Sequence, residues 1–194
     1  GFQFVKIETA EAFDLVINEL MADPSPVAGL PEAEWVEIYN RSAKTIDLKS
    51  LRFADASGST VSLPAYLMPP GGYAVLCALA NAPVLRPFSK DTVLAVPMSS
   101  TLLNNEGDVL TLSTVAGLVV DEVAYQAVWH ADPVKRNGGW SLERINPGLP
   151  CLGATNWQSC PILPGGSPGQ TNASLDLSPD VTAPRLVSAY PESP

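Results

Sequence analysis

The chain has 194 residues, 46% of them apolar and only 16% charged against roughly 25% in an average soluble domain, so it can bury a core unaided and is not a disordered tail. Its 19 prolines and 14 glycines exclude a long-helix or coiled-coil protein. With a net charge of −9, and with Lys135 and Arg136 the only adjacent pair among its eleven basic residues, it lacks the clustered cations that nucleic acid or an anionic membrane surface requires.

Residues 1–13 form a polar and apolar lead-in that reads as an extra strand or a linker, with a hint of helix at 10–13. Runs 15–20 and 34–39 are short and rich in β-branched and aromatic residues, the composition of strands. In the second run Val36 and Ile38 alternate with Trp35, Glu37 and Tyr39, so the two sets should face opposite sides. Further strands are expected at 45–48, 51–54, 60–63, 72–79, 92–96, 109–112, 118–125 and 141–144. Turn residues at 55–58, 69–72, 104–107 and 136–139 separate them. A second hint of helix lies at 77–81. From Pro161 the chain is mostly Pro, Gly, Ser and Asn without periodicity, and 182–188 reads as the opening strand of a following domain. Short strands at this spacing predict an all-β sandwich or barrel with almost no helix.

The uncharged stretch 56–85 is broken by Pro64, Pro69, Pro70 and Pro83 and cannot be a membrane span. No basic segment followed by an apolar core opens the chain, so no signal peptide is expected, and Gly1 reads as the start of a mature or excised piece. The acidic, Pro-rich, weakly charged composition fits a secreted or cell-surface domain.

Cys151 and Cys160 lie nine apart in a loop-like stretch, a spacing that lets the chain fold back and form a disulfide credited with about 2.7 kcal/mol. The alternative is two free thiols. Cys77, apolar on both sides, reads as a buried structural thiol. The single imidazole, His130, stands near Asp132, but no Gly-x-Ser-x-Gly elbow accompanies it, so no catalytic constellation is expected and His130 should hydrogen-bond locally. Glu19, Asp23, Glu32, Glu34, Glu37 and Asp132 are candidate oxygen ligands for calcium, with Asp23 and Glu34 the calcium candidates retained, although no Asp-x-Asp-x-Asp-Gly loop exists. Glu34 and Glu37, three apart in one strand, should face opposite sides, and Glu37 is expected to meet Arg41 or Arg144. Trp35 and Trp140 read as core, Trp157 as packing over the cysteine loop, and Trp129 as the exposed aromatic able to stack on a sugar ring. Asn40-Arg41-Ser42 and Asn172-Ala173-Ser174 match the glycosylation pattern by chance.

Five segments in order carry a resemblance. They are Val16-Ile17-Asn18-Glu19-Leu20-Met21-Ala22-Asp23-Pro24, Glu34-Trp35-Val36-Glu37-Ile38-Tyr39-Asn40-Arg41-Ser42 with Ile46-Asp47-Leu48, Leu67-Met68-Pro69-Pro70-Gly71-Gly72-Tyr73, Leu102-Leu103-Asn104-Asn105-Glu106-Gly107-Asp108, and Gly139-Trp140-Ser141-Leu142-Glu143-Arg144. The succession resembles the bacterial lamin tail domain family over roughly residues 14–172. Residues 173–194 would then be a linker and the start of a bacterial immunoglobulin-like repeat. The resemblance implies an immunoglobulin-like antiparallel β-sandwich, one module of a large secreted or surface-attached protein, with no catalytic residues and no cofactor. The chromatin partners of animal lamin tails are not implied, because the charge opposes them and fold analogy is a poor guide to function. The expected role is interaction, spacing or attachment through a protein or cell-surface component, or else binding of carbohydrate or calcium in support of an attached enzyme.

Overall fold

The computed structural model describes residues 5–58, 60–99 and 101–179, so the strand expected at 182–188 lies outside the described residues. Strands β1 (Leu15–Met21), β2 (Trp35–Asn40), β3 (Ile46–Asp47), β4 (Leu51–Ala54), β5 (Thr60–Ser62), β6 (Leu67–Met68), β7 (Tyr73–Ala78), β8 (Thr92–Val96), β9 (Gly107–Thr114), β10 (Val119–Gln126), β11 (Leu142–Arg144) and β12 (Trp157–Ser159) follow the chain. One-turn helices α1 (Ala82–Leu85) and α2 (Pro133–Arg136) and three 3-10 turns complete it. A six-stranded sheet in the order β12-β11-β1-β2-β7-β8 faces a four-stranded sheet, β10-β9-β4-β5, and β3 pairs with β6 at one side. This is an immunoglobulin-like β-sandwich. It is not wholly antiparallel, because β7 and β8 run parallel across the α1 crossover. No helix of the described residues is long and apolar enough to cross a membrane.

Alternation builds the core. Val36 and Ile38 point between the sheets with Leu15, Ile17, Leu20, Phe53, Leu76, Leu110 and Leu112, while Trp35 packs on the other side with Met21, Leu30, Val75, Cys77 and Leu85. Two elements escaped the sequence pattern, β6 and β12, because two or three residues carry too little periodicity to register. The lead-in is tied down: Ile7 bridges Thr45, Glu8 N–H donates to the Thr45 carbonyl, and Ala10 enters the core.

A β-bulge at Asn18 decides the outer face. Strict alternation from Ile17 would send Glu19 into the apolar core and Leu20 out of it. The register instead slips between Ile17 and Glu19, so Leu20 meets Val36 inside and Glu19 meets Glu37 outside. The ladder from β1 to β11 covers only Glu19 and Leu20, which leaves the Ile17 backbone without a strand partner on that side. Asp121 and Arg144 replace the missing strand. Ile17 N–H donates to Asp121 Oδ2 at 2.8 Å, Arg144 Nε donates to the Ile17 carbonyl at 2.7 Å, and Arg144 Nη2 closes the ring on Asp121 at 2.7 Å. Both side chains are 1% exposed, so the pair clamps the two sheets together.

Both glycosylation-pattern asparagines are consumed by the fold. Asn40 Nδ2 donates to the carbonyls of Lys44, Met68 and Pro69, and Asn172 Nδ2 to those of Asn18 and Arg144.

Candidate functional site

Glu143 on β11 stands opposite Glu19 on β1, which stands opposite Glu37 on β2. All three are fully buried in one row across the outer face of the six-stranded sheet. Like charges directly opposite each other destabilise a sheet unless protons or donors intervene. The coil after β12 supplies three backbone donors, and Ser141 and Asn18 add side-chain donors. Glu19 Oε1 accepts from Ser141 Oγ (2.6 Å) and Ser167 N (2.8 Å), Glu143 Oε2 from Ser174 N (2.7 Å), and Glu37 from Asn18 Nδ2 (2.8 Å) and Gly169 N (2.6 Å). Gly169 has φ +75°, and a Cβ there would collide with the Asp91 backbone nitrogen and Ser89 Oγ. Only glycine lets the chain come this close and still aim its N–H at Glu37. Glu37 thus meets neither Arg41 nor Arg144, contrary to the sequence expectation: Arg41 Nη1 bonds the Phe13 carbonyl and Arg144 is committed to Asp121 and Ile17.

A proton can be located by counting. Ser167 Oγ lies 3.0 Å from Glu19 Oε2 and 2.9 Å from Glu143 Oε1, yet a hydroxyl has one proton. One of those carboxyls must therefore donate. Burial, reinforced by the Glu143 charge, raises Glu19 to about 8, so Glu19 keeps its proton at neutral pH and donates to Ser167. Burial with Glu19 alongside raises Glu37 well above the carboxylate range too. The row is a hydrogen-bonded seam that fastens residues 167–174 to the sheet.

His130 follows the 3-10 turn Ala127–Trp129, and its Nδ1 lies 2.8 Å from Ser159 Oγ on β12. Asp132, the expected neighbour, turns away to cap α2 by accepting from Val134 N. A serine on an imidazole is half of a hydrolytic pair, but the surroundings oppose that chemistry. Burial, with Arg136 and Lys135 nearby, lowers the imidazole to about 4, which makes it a weak base. The hollow beside it measures about 10 Å³, room for one water at most. His130 is a structural hydrogen-bonding residue. Lys135 locks the same corner, donating to the Cys160 carbonyl at 2.6 Å and lying 4.3 Å from the Trp140 ring centroid.

The calcium candidates Asp23 and Glu34 do not assemble a site. Glu34 Oε2 accepts from Leu103 N at 2.8 Å, and burial raises its carboxyl to about 7, with Asp23 adding to the shift. Asp23 accepts from Ser25 N. Among the described residues no three His, Cys, Asp or Glu side chains converge on a common point.

The expected staple is not formed, since Cys151 and Cys160 are both free. Cys151 is exposed in the 3-10 segment Pro150–Asn156, whereas Cys160, directly after β12, is buried. Asn156 closes the loop in place of a disulfide, accepting from Asn146 N and donating to the carbonyls of Asn146 and Leu149. In the native protein a thiol reagent is expected to label Cys151 alone. Burial raises the Cys77 thiol to about 11 and raises Cys160 as well, so those two should react only after unfolding. Intact-mass analysis showing an oxidised Cys151–Cys160 pair would restore the staple.

Trp129, expected to be exposed, is half-buried, because it packs on Trp157 with ring centroids 5.9 Å apart. Arg144 lies 5.0 Å from the centre of Trp157. The stack walls a hollow of about 210 Å³ that also touches Glu122, Ala124, Gly153 and Ala154. Next to it a hollow of about 310 Å³ reaches Phe13 and Cys151 and shares Glu122, Pro150 and Gly153 with the first. Sequence reasoning missed Phe13, Glu122 and Gly153, because their proximity depends on long-range packing. A larger hollow, about 790 Å³ at the loop end, is lined in part by Asp55, Glu106 and Asp108. Asp108 Oδ1 already accepts from Ala56 N and Val109 N.

A family model described as Lamin Tail Domain matches residues 8–127. No curated protein matches the chain.

Proposed function

The chain belongs to the lamin tail domain family, and from that membership we propose that it is a non-catalytic interaction, spacer or attachment module of a secreted or cell-surface multidomain bacterial protein. One observation carries this reading. Three ionisable side chains that looked chemical in the sequence, Glu19, Glu37 and His130, are spent on the domain's own backbone and hydroxyls, and so is Glu143 beside them. The module is taken as residues 14–172, longer than the matched 8–127, because β11 and β12 continue the sheet beside β1. The net charge of −9 favours a protein or cell-surface component over a polyanion as partner.

The test is adsorption of the purified chain to isolated bacterial envelopes, with duplex DNA run alongside. Sedimentation with envelopes and no mobility shift on DNA is the expected result. A DNA shift that weakens steeply with salt would overturn it, since that slope counts phosphate contacts. Hydrolase activity lost on His130→Ala would overturn it as well.

A further inference from the structure

The two hollows on either side of Glu122 form one groove. One wall is β10, the outer strand of the four-stranded sheet, and the other is the turn around Pro150 and Gly153. A half-buried aromatic ring stands at each end: Trp129, backed by Trp157, and Phe13. Beside the stacked tryptophans the lining is small, Ala124, Gly153 and Ala154.

Phe13 is held there at a cost. It is the one non-glycine residue with positive φ among the described residues, at 63°. Such a backbone is strained and persists only where its surroundings impose it. They do so here, since Phe13 N–H donates to the Val120 carbonyl at 2.7 Å and its own carbonyl accepts from Arg41 Nη1 at 2.9 Å.

We propose that this groove binds a neutral oligosaccharide, with sugar rings stacked on Trp129 and Phe13 and ring hydroxyls donating to Glu122. A sugar ring has a C–H face that suits an aromatic surface and a hydroxyl edge that suits a carboxylate, and the groove offers both. Glu122 is exposed and Oε2 is engaged only by Thr111 Oγ1, at 3.1 Å, among the described residues. Arg144 lines the floor, but its charge is spent on Asp121, and the net charge of −9 disfavours an anionic ligand. The inference rests on the attachment reading and deepens it by making the surface component a glycan.

The test titrates the whole chain with neutral hexasaccharides of β-linked glucose, β-linked N-acetylglucosamine and mannose. Tryptophan emission and the labelling rate of Cys151, an exposed thiol on the groove wall, are followed together. At least one sugar should shift the emission and slow the labelling. Glu122→Gln, a surface change outside the core, should weaken that binding about tenfold. Trp129→Ala should abolish it, with circular dichroism confirming the fold. Failure of all three sugars, or unchanged affinity in Glu122→Gln, would overturn the proposal, as would an extended peptide that protects Cys151 in their place. Envelope adsorption that survives enzymatic removal of glycans would overturn this inference and leave the attachment reading standing. No adsorption even to untreated envelopes would remove both.

Discussion

Asp121→Ala is expected to destabilise the domain by about 3–5 kcal/mol, the range for removing one partner of a buried ion pair. The change leaves the Arg144 guanidinium, 1% exposed, without its anion. It also strips the Ile17 N–H of its Asp121 acceptor at the point where the β1 ladder to β11 stops. The two penalties coincide in space, so the loss should not divide into independent halves. Thermal unfolding should fall on the order of 10 °C for a domain of this size. The double change Asp121→Leu with Arg144→Met should recover only part of the loss, since an apolar pair removes the uncompensated charge but leaves the Ile17 N–H and carbonyl without these partners. A single-mutant loss below about 1 kcal/mol would show that the clamp does not hold the sheets together.

Stability is expected to be greatest near about pH 5 and to fall as the solution becomes alkaline, because of the buried glutamates Glu19, Glu34 and Glu37. Glu19 is raised from 4.5 to about 8 and Glu34 to about 7, and Glu37 moves the same way. In each case the folded chain keeps a proton that the unfolded chain has already released. That contribution is complete below the unfolded value and is lost as pH rises through the folded one. Each retained proton tilts stability by about 1.4 kcal/mol per pH unit. His130 works in the opposite sense. Lowered from 6.5 to about 4, it contributes stability above pH 6.5 that is lost as pH falls through about 4. The carboxyls therefore act alone between about pH 6.5 and 8, where the melting temperature should drop by several degrees.

Glu19→Gln is the discriminating variant. A glutamine there can accept from Ser141 and Ser167 N through its oxygen and donate to Ser167 Oγ through its nitrogen, copying the protonated acid bond for bond. It should match the parent at pH 5 and exceed it at pH 8. A variant as unstable at pH 5 as Glu19→Ala would show that Glu19 does not carry the proton.

Local pattern was legible. Alternation in Trp35–Tyr39 assigned the two faces of β2 correctly, because a strand's side-chain period is a property of its own backbone. Turn residues marked most strand ends, and the five family segments in their order along the chain led to the sandwich. The same local reasoning failed at Cys151 and Cys160, where a loop closed on paper by sulfur is closed by the Asn156 amide. It failed at Trp129 as well, since exposure depends on what lies across from a ring, and that is Trp157.

Sequence alone determined the all-β character, the inward sets of the main strands and the unfavourable charge for a polyanion. Only the tertiary structure decided what the polar residues are for. Asp121 serves Ile17 across 104 positions and Ser167 serves Glu19 across 148. The row of glutamates exists because a single-residue bulge at Asn18 turned Glu19 outward. Hydrophobic periodicity repeats every two residues and leaves a local trace in the chain. A bulge shifts that register by one, and a buried hydrogen bond joins residues of no fixed spacing, so neither leaves a trace that can be read before the chain has folded.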